Sequence, residues 1–251
     1  MLIEAPNDSF GHHPSSTRTF QPTRTLQPAH SLQPAQQPGR TPVTERLIRS
    51  PTRAELPRYP RRMDAPTIDL RRPALVVVDV QAGFDDYEFW GPRDNPECES
   101  NIAALVNFWR ANSWPIVFVQ HDSDDPLSPL SPSGPGHAFK DVIEGAPDLL
   151  VHKRVNSSFY GTPDLDAWLR AEGIDQMVIC GITTNHCCET TARMAGNLGY
   201  DTYFAIDATH TFDRVAPDGT TVPAATLSTI TATNLHGEFA TVVSTAALLA
   251  D

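Results

Sequence analysis

Lysine is almost missing from this chain of 251 residues: Lys140 and Lys153 are its only two. Ordinary surface cations are written as arginine here, so each remaining lysine calls for a specific reason. Cysteine is also scarce. Cys98, Cys180, Cys187 and Cys188 fall at irregular spacings that form no disulfide framework and no metal-ligand pattern. No segment holds about 18 consecutive apolar residues, which excludes a membrane-spanning helix. The opening stretch "MLIEAPNDSFGHHP" lacks a cationic start followed by an apolar run, so it does not read as a secretory signal. A reducing, cytoplasmic setting is the resulting expectation.

Basic charge is missing from most of the chain as well. Nine arginines precede Met63, against Glu4, Asp8, Glu45 and Glu55. Beyond that point ten basic residues face twenty-six acidic ones, which argues against nucleic acid as a ligand. Residues 1–65 carry a loose Gln-Pro repeat, "TRTFQPTRTLQPAHSLQPAQQPG", with too much proline for helix or strand. Apolar residues are too sparse there for a core, so a disordered, non-catalytic tail is expected. Two other readings stand beside it: a polyproline II ligand for a partner domain, and a true start at Met63.

Residues 66–251 have a different texture. "ALVVVDV", "PIVFVQ", "DLLVHK", "QMVICG", "DTYFAI" and "FATVVS" read as strands, and most are apolar enough to be buried on both faces. Helical patterns lie between several of them: "ESNIAALVNFWRANS", "TPDLDAWLRAEG" with a Thr cap, roughly Cys187 to Leu198, and "VPAATLSTITATNLH". This alternation predicts a doubly wound α/β domain: a mainly parallel six-stranded sheet with helices on both faces.

In such sheets ligands bind beyond the carboxyl ends of the strands. Asp79, Lys153 and Gly181–Cys187 all fall at those ends. Cys187 is expected at a helix start, where unsatisfied N–H groups favour a thiolate. Asp79 supplies a base for its proton and Lys153 a point charge to hold the anion. Lys153 stands beside Arg154, so charge alone does not explain a lysine there. Lys140 falls in a loop and is expected to be dispensable.

Three stretches carry a specific resemblance: "LVVVDVQAGF", "HKRVNSSFYGTPDLDAWLRAEGIDQMVICG" and "GITTNHCCETTAR". They resemble the isochorismatase-like cysteine hydrolases in their strand-one Asp-x-Gln, their Lys with a downstream Ser-x-Phe-x-x-Thr, and their Gly-x-x-Thr-x-x-Cys elbow. The resemblance spans roughly 71–243. It implies a triad of Asp79, Lys153 and Cys187. It also implies a cis peptide between Ile182 and Thr183, with the N–H groups of Thr183 and Cys187 as an oxyanion hole. The family's usual small apolar residue after the nucleophile makes Cys188 a buried hydrophobe; a strained vicinal disulfide is the rival reading. Dimers or tetramers are common in the family.

The departures are informative. Nicotinamidases in the family carry an Asp-x-His…His metal site after the second strand. "VQHDSDDPLSPL" offers one histidine there, so no metal and no cofactor are expected. The nucleophilic cysteine argues against the vinyl-ether chemistry of true isochorismatases. The resemblance leans to the amidase branch, with streptothricin hydrolases nearest. Gln81, Phe84, Trp90, His121, Tyr160 and His186 are candidate substrate contacts, with Phe89 and Phe212 beside them. The aromatic residues serve equally well as core, and Asp85, Asp86 and Glu88 as a solvated loop. The expected function is metal-independent hydrolysis of a carbon–nitrogen bond in a small molecule. Vinyl-ether hydrolysis and a catalytically silent binding or scaffold protein are the alternatives.

Overall fold

The computed structural model describes residues 68–250. The tail expected over 1–65 lies outside them.

Six strands form one fully parallel sheet: β1 (Ala74–Val78), β2 (Ile116–His121), β3 (Leu149–Lys153), β4 (Gln176–Ile182), β5 (Asp201–His210) and β8 (Thr241–Val243), in the order β3-β2-β1-β4-β5-β8. A two-stranded hairpin, β6 (Arg214–Val215) and β7 (Thr221–Val222), follows β5. The helices are α1 (Tyr87–Trp90), α2 (Cys98–Ala111), α3 (Leu165–Ala171), α4 (Glu189–Asn197), α5 (Ala224–Leu235) and α6 (Thr245–Leu249). None is long and apolar enough to cross a membrane.

The apolar runs behave as strands buried on both faces should. Leu75 and Val77 of β1, with Val178 and Cys180 of β4, pack against Ile102, Leu105 and Trp109 of α2 and Leu248 of α6. Their neighbours Ala74, Val76, Met177 and Ile179 point the other way, onto Leu165 and Leu169 of α3, Ala192 of α4 and Leu235 of α5. Each fully buried Val or Leu contributes about 1.5–3 kcal/mol. A charge at Val76 would break this layering, because it would have no partner.

Local signals set the boundaries. Asp164 caps α3, its Oδ1 accepting from the Ala167 N–H at 3.0 Å, so the cap is Asp164 and not the threonine read from sequence. Such a cap stabilises by about 1 kcal/mol. The α1, α6 and β6–β7 pieces carry too few residues for periodicity to reveal them.

Two register features shape the rim. Val78 pairs with Val119 on one side and Gly181 on the other, which aligns the ends of β1, β2 and β4. Gly181 has φ 125°, and a Cβ there would run into the Val78 carbonyl, so glycine is required. Between Ile179 and Gly181 the pairing shifts on β5 from Phe204 to Thr209, and the strand bulges. The strand order reverses direction at β1 and β4, and in open α/β sheets that crevice is where ligands bind.

Candidate active site

Asp79 directly follows β1 with φ 50°, a left-handed conformation rare for any residue but glycine and most tolerated by Asp and Asn. Its N–H donates to Val119 O at 2.9 Å, and its carbonyl accepts from Gln81 N–H at 2.8 Å. Lys153 ends β3, with its partner His121 at the end of β2. Cys187 lies in a wide turn, Thr184–Cys188, ahead of α4. The Cys188 N–H donates to Thr183 O five residues back, at 3.2 Å. The helix expected from about Cys187 is therefore a π-type turn first, a form often found at functional sites. The Ile182–Thr183 peptide is cis. The Thr183 N–H donates to no backbone partner among the described residues.

These elements bring the three side chains together. Lys153 Nζ donates to Asp79 Oδ2 at 2.6 Å, to His121 Nδ1 at 3.0 Å and to Cys187 Sγ at 3.4 Å. An ammonium has three donors, and all three are used. Because lysine only donates, His121 Nδ1 is an acceptor and its proton lies on Nε2. Burial and the adjacent Lys153 both push the His121 pKa down, so this imidazole is neutral. Burial works against the Lys153 charge, but Asp79 and Cys187 together outweigh it and hold the ammonium above the ordinary lysine range.

Cys187 is 8% exposed. Burial pushes its thiol up, the Asp79 charge adds to the effect, and Lys153 opposes it. Burial thus favours the thiol form, against the pull towards thiolate from the turn and from Lys153. Its Sγ contacts Asn156 Oδ1 at 3.7 Å. Asn156 went unnoticed in the sequence because one exposed asparagine in a loop carries no signal.

Asp79, His121 and Cys187 present ligand atoms within 4.8 Å of one another, which resembles a metal site. The space among them already holds the Lys153 ammonium, bonded to each. A metal ion would have to displace that charge and strand a buried lysine, so the donor set does not fit one.

The other candidates divide. Gln81 is fully buried, and its amide spans the His121 backbone: Oε1 accepts from His121 N–H at 2.8 Å, and Nε2 donates to the carbonyls of His121 and His137. Its bonds hold the His121 backbone in place. Phe84 and Phe212 are core: Phe84 packs tilted against Trp90 at 5.0 Å between centroids, and Phe212 stacks on Trp90 at 5.4 Å. Trp90 Nε1 donates to Gly83 O at 2.8 Å, and exposed Phe89 packs edge-on against it. Tyr160 is 68% exposed on the turn after β3. His186 points to Arg214, with Nδ1 3.2 Å from Nη2. Cys188 is fully buried and free, which settles the vicinal pair as nucleophile candidate plus core residue, without a disulfide.

Lys140 is no free loop cation. Its Nζ donates to Asp85 Oδ1 at 2.6 Å and Glu99 Oε1 at 2.8 Å, and its side chain is only 9% exposed. Glu99 also takes two 2.7 Å bonds from Arg93. This cluster lines a cleft of about 610 Å³ away from Cys187, with its cations already neutralised.

Known proteins agree with this frame. An isochorismatase-family protein of Bacillus subtilis, YrdC, is 42% identical over 179 residues, covering 71% of this chain and 95% of its own. A streptothricin hydrolase of Streptomyces noursei is 33% identical, covering 65% of this chain and 66% of its own. The crystal structure of an isochorismatase-family hydrolase from Chromobacterium violaceum superposes with a TM-score of 0.70 at 39% identity, covering 75% of this chain and 97% of that one. Residues 73–246 match the Isochorismatase domain, and the chain belongs to the isochorismatase family of hydrolases.

Proposed function

We propose that the protein is a metal-independent cysteine amidohydrolase that cleaves a carbon–nitrogen bond of a small molecule through a thioester. The observation that carries this reading is the Lys153 ammonium, bonded at once to Asp79, Cys187 and His121. The family's amide-cleaving members support it, including the streptothricin hydrolase. A small-molecule substrate, a cytoplasmic homodimer or homotetramer, and no nucleic-acid or membrane partner complete the reading.

The chemistry follows from the free lone pairs. Asp79 Oδ2 is held by Lys153, whereas Oδ1 is buried with no hydrogen-bond partner among the described residues. Oδ1 is thus the oxygen that takes the Cys187 proton. The thiolate forms a bond to the substrate carbonyl carbon, and the carbonyl electron pair moves to oxygen. The N–H groups of Thr183 and Cys187 receive that oxygen; each such donor is typically worth about 2.7–4 kcal/mol of barrier. Asp79 then passes the proton to the leaving nitrogen as the C–N bond breaks. Water gives a proton to Asp79 and attacks the thioester, the C–S bond breaks, and the sulfur recovers the proton.

The test is a panel of small amides, ureas and lactams, with ammonia or amine release measured for the wild type and Cys187→Ala. Release by the wild type alone is expected. Equal release by both proteins, or cleavage of vinyl ethers with the amides untouched, would remove the reading.

A further inference from the structure

Of the three acceptors around the Lys153 ammonium, Asp79 and Cys187 have steps in the reaction and His121 has none. Its backbone is nonetheless fixed at both ends. Gln81 Oε1 accepts from the His121 N–H at 2.8 Å, and Gln81 Nε2 donates to the His121 carbonyl at 3.2 Å. Gln81 is itself tied to the base, because its N–H donates to the Asp79 carbonyl at 2.8 Å. One buried glutamine thus ties the imidazole to the segment that carries Asp79. On the other side His121 stands in register with Lys153 across β2 and β3.

The contact depends on protonation. A neutral ring accepts at Nδ1 and completes the set of three acceptors that an ammonium needs. A protonated ring would set two donors 3.0 Å apart. Asp79 Oδ2, 4.0 Å from Nδ1, would then be contested by two cations. The surrounding charges decide where this happens. Burial and then Lys153 oppose the added proton, whereas Asp79, Asp122 and Asp124 favour it. Cys187 Sγ also lies within 4.8 Å. Asp122 is already engaged by His137 at 2.7 Å and His152 at 3.3 Å, and Asp124 by Arg154. The net effect holds the His121 pKa below its ordinary value. The neutral, accepting form is therefore complete above that pKa and is lost as pH falls through it.

On this geometry we propose that His121 is a positioning residue that acts through Nδ1: it holds the Lys153 ammonium between Asp79 and Cys187, and only while its ring is neutral. This differs from the substrate contact expected of His121, which would use the Nε2 edge of the ring. The effect on turnover rests on the amidohydrolase reading; the effect on the Cys187 thiol does not.

Two replacements separate the two edges of the ring. Asparagine puts its Oδ1 where Nδ1 stands, and glutamine puts its amide where Nε2 stands. On an amide that the wild type cleaves, His121→Asn should keep kcat at least about tenfold above His121→Gln. The reverse order would overturn the proposal in favour of a substrate contact. A second measurement needs no substrate and, in the wild type, no variant: the rate at which dipyridyl disulfide, a reagent active in acid, modifies Cys187, read by peptide mapping. In the wild type this rate should fall about tenfold per pH unit as thiolate is lost, and more steeply below about pH 6.5, as His121 gains its proton and Lys153 turns from Sγ. His121→Asn should follow one slope throughout. A single slope in the wild type, or a break that persists in His121→Asn, overturns the proposal. If the break is confined to the wild type but no amide in the panel is cleaved, the positioning role stands and the amidohydrolase reading falls. If amides are cleaved and the slope never breaks, the positioning role alone falls.

Discussion

Lys153 Nζ and Asp79 Oδ2 lie 2.6 Å apart, and both side chains are fully excluded from solvent. A buried pair of this kind constrains the replacements it tolerates. Lys153→Arg keeps the charge, but a planar fork cannot serve three acceptors arranged around one nitrogen. Its kcat should fall by at least about 100-fold, because the reacting groups lose their alignment. Lys153→Met leaves Asp79 buried without a cation and should cost about 3–5 kcal/mol in urea unfolding. An active, stable Lys153→Arg protein would remove the lysine from the mechanism.

The upward push of burial on the Cys187 thiol predicts an unusual pH profile. Cys98, Cys180 and Cys188 are fully buried, so iodoacetamide should mark Cys187 first by peptide mapping. A raised pKa means that thiolate is scarce at neutral pH. The alkylation rate should therefore keep climbing beyond pH of about 8.5, where an ordinary cysteine levels off. A plateau near neutrality would show that Lys153 outweighs burial.

Lys140→Ala should be damaging to stability, contrary to the expectation from its loop position. It removes one of two cations from Glu99 and should cost about 1–3 kcal/mol. Burial pushes the Glu99 carboxyl up, but hydrogen bonds from Arg93 and Lys140 overcome this and hold it well below the usual range. A depressed folded-state pKa contributes stability in full above the unfolded value of about 4.3, and loses it as pH falls below that. The gap between wild type and Lys140→Ala should thus narrow in acid. Denaturant titrations at pH 7 and pH 3 measure it.

Exhaustive chelation should leave turnover intact, since Lys153 occupies the space among the three ligand-type atoms. Loss of activity restored by added zinc would show that the ammonium yields to a metal.

The aromatic residues supply a contrast in stability. Phe212→Ala should cost about 3–5 kcal/mol, because the ring is 2% exposed and stacked. Tyr160→Ala should stay within about 0.5 kcal/mol. Comparable losses would mean that Tyr160 packs against something beyond this chain.

Long apolar runs made the sheet readable, because a strand buried on both faces needs every residue apolar. Asp79 and Lys153 were readable as charges that interrupt such runs at their ends. The roles of Gln81, Phe84 and Lys140 were not, because each depends on a partner 40 to 128 positions away or on which face of a loop turns inward. Asn156 is ordinary in composition. Only the fold puts it against Sγ.

The ammonium is delivered from an edge. β3 is the outermost strand on its side of the sheet, and its outer flank is covered at His152 by one bridge to Thr162, with bonds of 2.9 and 2.8 Å. Edge strands open more readily than central ones. A one-residue slip of β3 against β2 would turn Lys153 to the opposite face. Fraying at Thr162 would thus dismantle the site while the central strands stay paired. On warming, turnover should disappear before the core melts, and amide protons of β3 should exchange with deuterium ahead of those of β1 and β4.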